Sequence, residues 1–113
     1  MLSKKNRITR AEFESILSKG KRYHSPIFTL YVVQSKNAVD KKFAFSVSKK
    51  VARGAVQRNK LRRQGYATLR TIVNSTQPGF LYLFIYKKTP KTPSYKEIKE
   101  NITSLLGTSF VVV

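Results

Sequence analysis

In FAFSVSKKVARGAVQRNKLRRQGYATLR, residues 43–70, the period of the apolar residues changes partway through, and the architecture turns on that change. Phe43, Phe45 and Val47 alternate with Ala44, Ser46 and Ser48, the two-residue period of a strand with one apolar face and one small or polar face. From residue 55 the period becomes helical. Leu61, Gly65, Leu69 and Ile72 follow at i, i+4, i+8 and i+11, making a narrow apolar stripe on a helix over about residues 55–74. A glycine inside a helix costs about 1 kcal/mol relative to alanine, so Gly65 on that stripe implies close packing of the helix on the sheet. At about 100° per residue, Arg58, Arg62, Tyr66, Asn59, Arg70 and Arg63 fall side by side on an arc of roughly 140°, mostly outside the stripe. The unit is a strand, a basic loop and a helix with a basic face.

Working outward, Thr9 and Glu12 form a capping box, with Ile8 and Phe13 at the positions of a hydrophobic staple, so a helix is expected over residues 9–19. Phe13, Ile16 and Leu17 make its apolar face, and Gly20 stands where a left-handed C-terminal residue belongs. Residues 23–25 read as a short edge strand interrupted by Pro26, and residues 27–33 as a β-branched and aromatic strand that turns near residues 37–41. On the other side of the central unit, Pro78-Gly79 marks a turn. Residues 80–86, apolar or aromatic throughout, read as a central strand covered on both faces. Ser94 and Glu97 form a second capping box, and Ile98, Ile102, Leu105 and Leu106 make the packing stripe of a last helix expected to end at Gly107. The order α-β-β-β-α-β-α describes an α+β protein: one small sandwich over residues 1–113, with about four strands in a mixed sheet and three helices.

Composition narrows the function. Of 113 residues, 23 are Lys or Arg and 5 are Asp or Glu, a formal net charge of +18 at pH 7. A hydrophobic fraction of 41% with seven Phe and six Tyr is enough to build a core, which separates this chain from a disordered basic tail. Residues 41–96 hold none of the five acids and 14 of the 23 basic residues. Such an imbalance destabilises a folded domain through self-repulsion, and a polyanionic partner is its usual reason. The absence of cysteine excludes disulfides, thiolate zinc sites and a Cys nucleophile. No apolar run approaches the roughly 20 residues that span a bilayer, and residues 1–10 are basic and polar, so a cytoplasmic protein without membrane attachment is expected.

Conventional hydrolytic chemistry needs a carboxylate cluster or an acid/base pair, and the supply is five acids and His24. Glu12 and Glu97 are explained by capping, Glu14, Asp40 and Glu100 by solvation, and no glycine-rich phosphate loop is present. Neither a catalytic residue nor a metal ligand is expected in this chain. By contrast, Lys49, Lys50, Arg53, Arg58, Lys60, Arg62, Arg63 and Arg70 crowd into residues 49–70. A solvated helix face mixes signs one turn apart, whereas Arg58 and Arg62 repel each other, and phosphate binding explains that better. Asn59 adds a neutral donor and acceptor. Phe13, Phe28, Tyr31 and Tyr66 are candidates for stacking on unpaired bases.

The sequence Phe45-Ser46-Val47-Ser48-Lys49-Lys50-Val51, followed by Ala55-Val56-Gln57-Arg58-Asn59-Lys60-Leu61-Arg62-Arg63, closely resembles the signature of the protein subunit of bacterial ribonuclease P. The resemblance extends over nearly the whole chain, from Lys5-Asn6-Arg7-Ile8 through Glu12-Phe13, Gly20 and the residue 28–33 strand to the late strand and helix. It implies a ribonucleoprotein endoribonuclease that removes the 5′ leader from precursor tRNA, with catalytic Mg²⁺ held by the RNA subunit and the substrate. One protein per ribonuclease P RNA is expected. It further implies an unusual left-handed βαβ crossover, contrary to the general rule. Carried over, Arg58, Asn59, Lys60, Arg62 and Arg63 contact the catalytic RNA and the nearby leader, with Lys49, Lys50, Arg53 and Arg70 extending that surface. A cleft between the first helix and the sheet receives the leader, with Phe13, Leu17, Phe28 and Tyr31 at the matching positions. Leu17 stands where the family often has an aromatic, Tyr66 and Ala67 where it usually has Arg and Glu, and Gly65 where it has a larger residue. Two other readings explain less: a ribosomal or general single-stranded-RNA-binding protein accounts for charge and aromatics but not the ordered signature, and a cationic membrane-active protein accounts for charge alone.

Overall fold

In a computed structural model, which describes residues 8–39 and 41–112, the alternation in residues 41–47 becomes β3 (Lys41–Ser46) and the helical stripe becomes α2 (Ala55–Ile72). The remaining elements are α1 (Arg10–Lys19), β1 (Lys21–His24), β2 (Phe28–Gln34), β4 (Phe80–Tyr86) and α3 (Tyr95–Val112), with a 3₁₀ turn at Val73–Ser75 after α2. The opening Lys5-Asn6-Arg7 and Asp40 lie outside the described residues.

The sheet order is β1-β2-β4-β3. β4 pairs antiparallel with β2 and parallel with β3, so α2 is the crossover of a parallel β3–α2–β4 unit, and β1 pairs antiparallel with β2 at the far edge. The apolar run of β4 belongs in the centre because both of its faces are covered. On one face, Phe28, Leu30, Val32, Phe43, Phe45, Tyr82, Phe84 and Tyr86 meet Leu61 and Leu69 of α2 and Ile98, Ile102, Leu105 and Leu106 of α3. Phe45 and Phe84 stack with centroids 4.9 Å apart, and Phe28 meets Phe84 edge-on at 5.5 Å. Burying each such side chain contributes about 1.5–3 kcal/mol, which makes this the dominant core. On the other face, α1 lays Ile16 over Leu81 and Leu83.

Three local expectations are corrected. Gly20 is extended (φ −68°, ψ 143°) rather than left-handed, because β1 follows at once. Its missing side chain matters for another reason, since a Cβ there would sit 2.5 Å from the Ile16 carbonyl oxygen. β1 begins at Lys21, two residues earlier than expected, because pairing with β2 extends it. α3 continues through Gly107 to Val112, since Gly107 does not take positive φ. The Pro78-Gly79 turn forms as expected, with Gly79 at φ +89° where a Cβ would strain.

Candidate nucleic-acid interface

α2 is seated on the sheet by three contacts around its signature sequence. Leu61 is buried, and a Cβ on Gly65 would lie 2.5 Å from Cε2 of Phe45, so only glycine lets the helix approach this closely. The Tyr86 hydroxyl donates to the Leu61 carbonyl at 2.7 Å, and burial raises its phenol well above the ordinary value. With that side fixed, Asn59, Lys60, Arg63 and Arg70 are exposed on α2, and Lys49, Lys50 and Arg53 are exposed on the loop before it. The first turn of α2 has no acid and Gly54 supplies no side-chain cap, so the positive helix end adds to the loop's cations.

Two signature residues also have partners within the protein. Half-buried Arg58 turns back, and its Nη1 donates to the carbonyls of Ala52 at 2.9 Å and Arg53 at 2.6 Å. This ties the loop bearing Lys49, Lys50 and Arg53 to the first turn of α2. Asn59 Oδ1 accepts from Nη2 of Arg62 and so orients that guanidinium. Read in sequence, the nine polar residues look equivalent; in the fold, Arg58 also holds the loop at Arg53, and Asn59 orients Arg62. Tyr66 is half-buried with its ring edge-on to Phe45 at 4.9 Å, so it is partly a core residue.

On the α1 face, half-buried Phe13 and Tyr31 pack around Ile16, and Leu17 is 44% exposed. Phe13 and Tyr31 lie on the sheet face that α1 partly covers, but Phe28 does not join them. It stands an odd number of residues from Tyr31, so its side chain points to the opposite face. There it is fully buried, 4.5 Å from the Tyr86 ring, and the leader-cleft assignment is corrected at this position. Thr29, the next residue, faces the α1 side instead. The register sets Thr29 beside Ile85, Ile85 beside Ser46 and His24 opposite Thr29, forming one row at the end of the sheet from which the basic loop departs. Thr29, Ile85 and Ser46 are half-buried and His24 is exposed, with 3.4 Å between His24 Nδ1 and Thr29 Oγ1. Counting by twos from Tyr31 would have found Thr29; the rest of the row depends on strand order.

α1 is held over this face by Glu12, which accepts from the Thr9 backbone N–H at 2.9 Å and pairs with Lys42 Nζ on β3 at 3.0 Å. Partial burial alone would raise the Glu12 carboxyl, but the Thr9 and Lys42 bonds outweigh it and hold the group below the ordinary carboxylate value. Among the described residues no cluster of three or more His, Cys, Asp or Glu side chains could hold a metal ion, and no helix is long and apolar enough to cross a membrane.

This chain is similar throughout to proteins of one kind. A family model described as Ribonuclease P matches residues 2–109. The ribonuclease P protein component of Clostridium novyi is 31% identical over 107 residues, covering 93% of this chain and 94% of that protein. The corresponding Pseudanabaena protein is 28% identical over 113 residues, covering 99% and 97%. Among solved structures, the RNase P protein of Staphylococcus aureus superposes with a TM-score of 0.80 at 25% identity, covering 92% of this chain and 94% of that one. The Thermotoga maritima protein shares the fold, with a TM-score of 0.80 at 21% identity over 90% and 96% of the two chains.

Proposed function

Because the chain belongs to the ribonuclease P protein family, we propose that it binds both the catalytic RNA and the single-stranded 5′ leader of precursor tRNA, and lowers the magnesium requirement of leader removal. The observation that carries this reading is the meeting of two surfaces at one end of the sheet. The α1-side strip ends at Ser46, and the chain passes from there into the loop bearing Lys49, Lys50 and Arg53, which Arg58 ties to α2. One RNA on the basic helix and a second strand on the strip are thereby brought side by side.

The mechanism is electrostatic. Phosphates of two RNAs repel, and Lys49, Lys50, Arg53, Lys60, Arg62, Arg63 and Arg70 neutralise them with release of counterions. Phe13 and Tyr31 supply stacking surfaces for unpaired leader bases, worth about 1–3 kcal/mol per base, which favours precursor over mature tRNA. Leu17 adds an apolar contact with less stacking strength. In this reading the magnesium ions are held by the RNA subunit and substrate, consistent with a chain of five acids, two of which cap helices. The particle contains one protein per RNA and works in the cytoplasm.

The test is single-turnover cleavage of a precursor tRNA by a bacterial ribonuclease P RNA at low Mg²⁺, with and without the protein. Strong stimulation that vanishes at high Mg²⁺ is expected. RNA binding without stimulation would overturn the proposal in favour of a general RNA-binding role, and cleavage by the protein alone would overturn the assignment of the chemistry to RNA.

A further inference from the structure

A concave surface of about 500 Å³ runs between α2 and the start of α3, with no carboxylate in its lining. Lys60, Arg63, Ala67 and Arg70 follow the helical period along one side of α2, so three cations surround the small side chain of Ala67. Tyr66, held edge-on by Phe45, forms part of the same lining. Tyr95, the first residue of α3, completes it while remaining 46% exposed.

We propose that this groove binds an unpaired nucleotide of the ribonuclease P RNA, with the base against Tyr95 and the flanking phosphates on Lys60, Arg63 and Arg70. A large ring left nearly half exposed beside cations offers a π-face and phosphate donors together, the combination that holds single-stranded nucleic acid. A paired helix would engage the cations by its backbone while keeping its bases stacked away from the ring. The inference rests on the RNA-binding reading above and deepens it, adding Tyr95 and a base-binding subsite to part of the basic surface of α2. The source of the nucleotide follows from layering. α2 and α3 pack on one face of the sheet and α1 on the other, so the leader strip and this groove are on opposite sides of the β layer. A leader nucleotide lying against Tyr31 therefore cannot also occupy Tyr95, and the strand nearest the groove is the RNA that the basic face of α2 binds.

The test uses the full chain and a bacterial ribonuclease P RNA, first without tRNA and then with precursor tRNA added, measuring affinity over a salt series and mapping ultraviolet crosslinks by mass spectrometry. Wild-type protein should crosslink to the RNA at Tyr95. Tyr95→Ala should weaken binding about tenfold with an unchanged salt slope, because no charge is removed, and Tyr95→Phe should bind like wild type. Lys60→Ala should instead reduce the salt slope by about one. Crosslinks absent from Tyr95, or wild-type affinity in Tyr95→Ala, would overturn the groove while leaving the RNA-binding reading intact. Loss in Tyr95→Ala of affinity only when precursor tRNA is added would overturn the choice of strand. Failure of wild-type protein to bind the RNA at all would overturn both readings.

Discussion

The two faces of this sheet are built from the same four strands and do opposite things. Toward α2 and α3, aromatic rings from β2, β3 and β4 close into a buried cluster, and the helix seated on it carries cations outward. Toward α1, a ten-residue helix covers only part of the sheet, leaving a row of Thr29, Ile85 and Ser46 half-covered. Tight packing makes the first face a rigid mount for charge, while incomplete cover leaves part of the second accessible, where the proposed leader site lies. A protein this small presents both by dividing the alternate residues of each strand between them.

Exchanging an aromatic on each face gives the strongest test of that contrast. Phe28→Ala should cost about 3–5 kcal/mol in denaturant unfolding, with the leader preference of the remaining folded protein unchanged. Tyr31→Ala should have the reverse signature, losing about 1–3 kcal/mol of discrimination between precursor and mature tRNA with a smaller loss of stability. If Phe28→Ala erased the leader preference in folded protein, or Tyr31→Ala preserved it, the division between the faces would be wrong.

A smaller effect tests the mount itself. At an open helix position Gly→Ala stabilises by about 1 kcal/mol, but Gly65→Ala brings a Cβ against the Phe45 ring, and overpacking of this kind costs about 1–3 kcal/mol. Net destabilisation in thermal unfolding is expected, relieved when Phe45→Leu is added. Stabilisation by Gly65→Ala alone would show that α2 is not pressed against the sheet.

The smallest effect concerns α1. Glu12→Gln preserves the capping box, since Gln also serves at the third position of a helix, but removes the charge paired with Lys42. Exposed pairs contribute up to about 1 kcal/mol, and this one is only partly shielded from water. Because the folded carboxyl lies below its ordinary value, the contribution is present above the unfolded carboxylate value and disappears as pH falls through the folded one. Stability curves of wild type and Glu12→Gln should therefore differ at pH 7 and converge in acid; curves that stay parallel would remove the pair from the account.

Much of this molecule was legible without coordinates, because its signals are local. Both capping boxes, the change of period across residues 43–70, the all-apolar central strand and the concentration of charge depend on neighbours a few residues apart, and each has the predicted structural counterpart. Even the close approach at Gly65 was readable, since a glycine inside a helix demands a reason.

The set of elements and the basic character of α2 follow from residue order alone, since periodicity and side-chain chemistry are properties of the chain. The packing of distant segments settles which face each aromatic serves, that Arg58 holds the preceding loop and Asn59 orients Arg62, and that Tyr95 lines the same groove as Lys60 and Arg63. Phe28 and Tyr31 share a strand and a chemistry and differ by an odd offset. Whether either is core or surface depends on which helix covers which face, and that is set by packing between segments far apart in the chain.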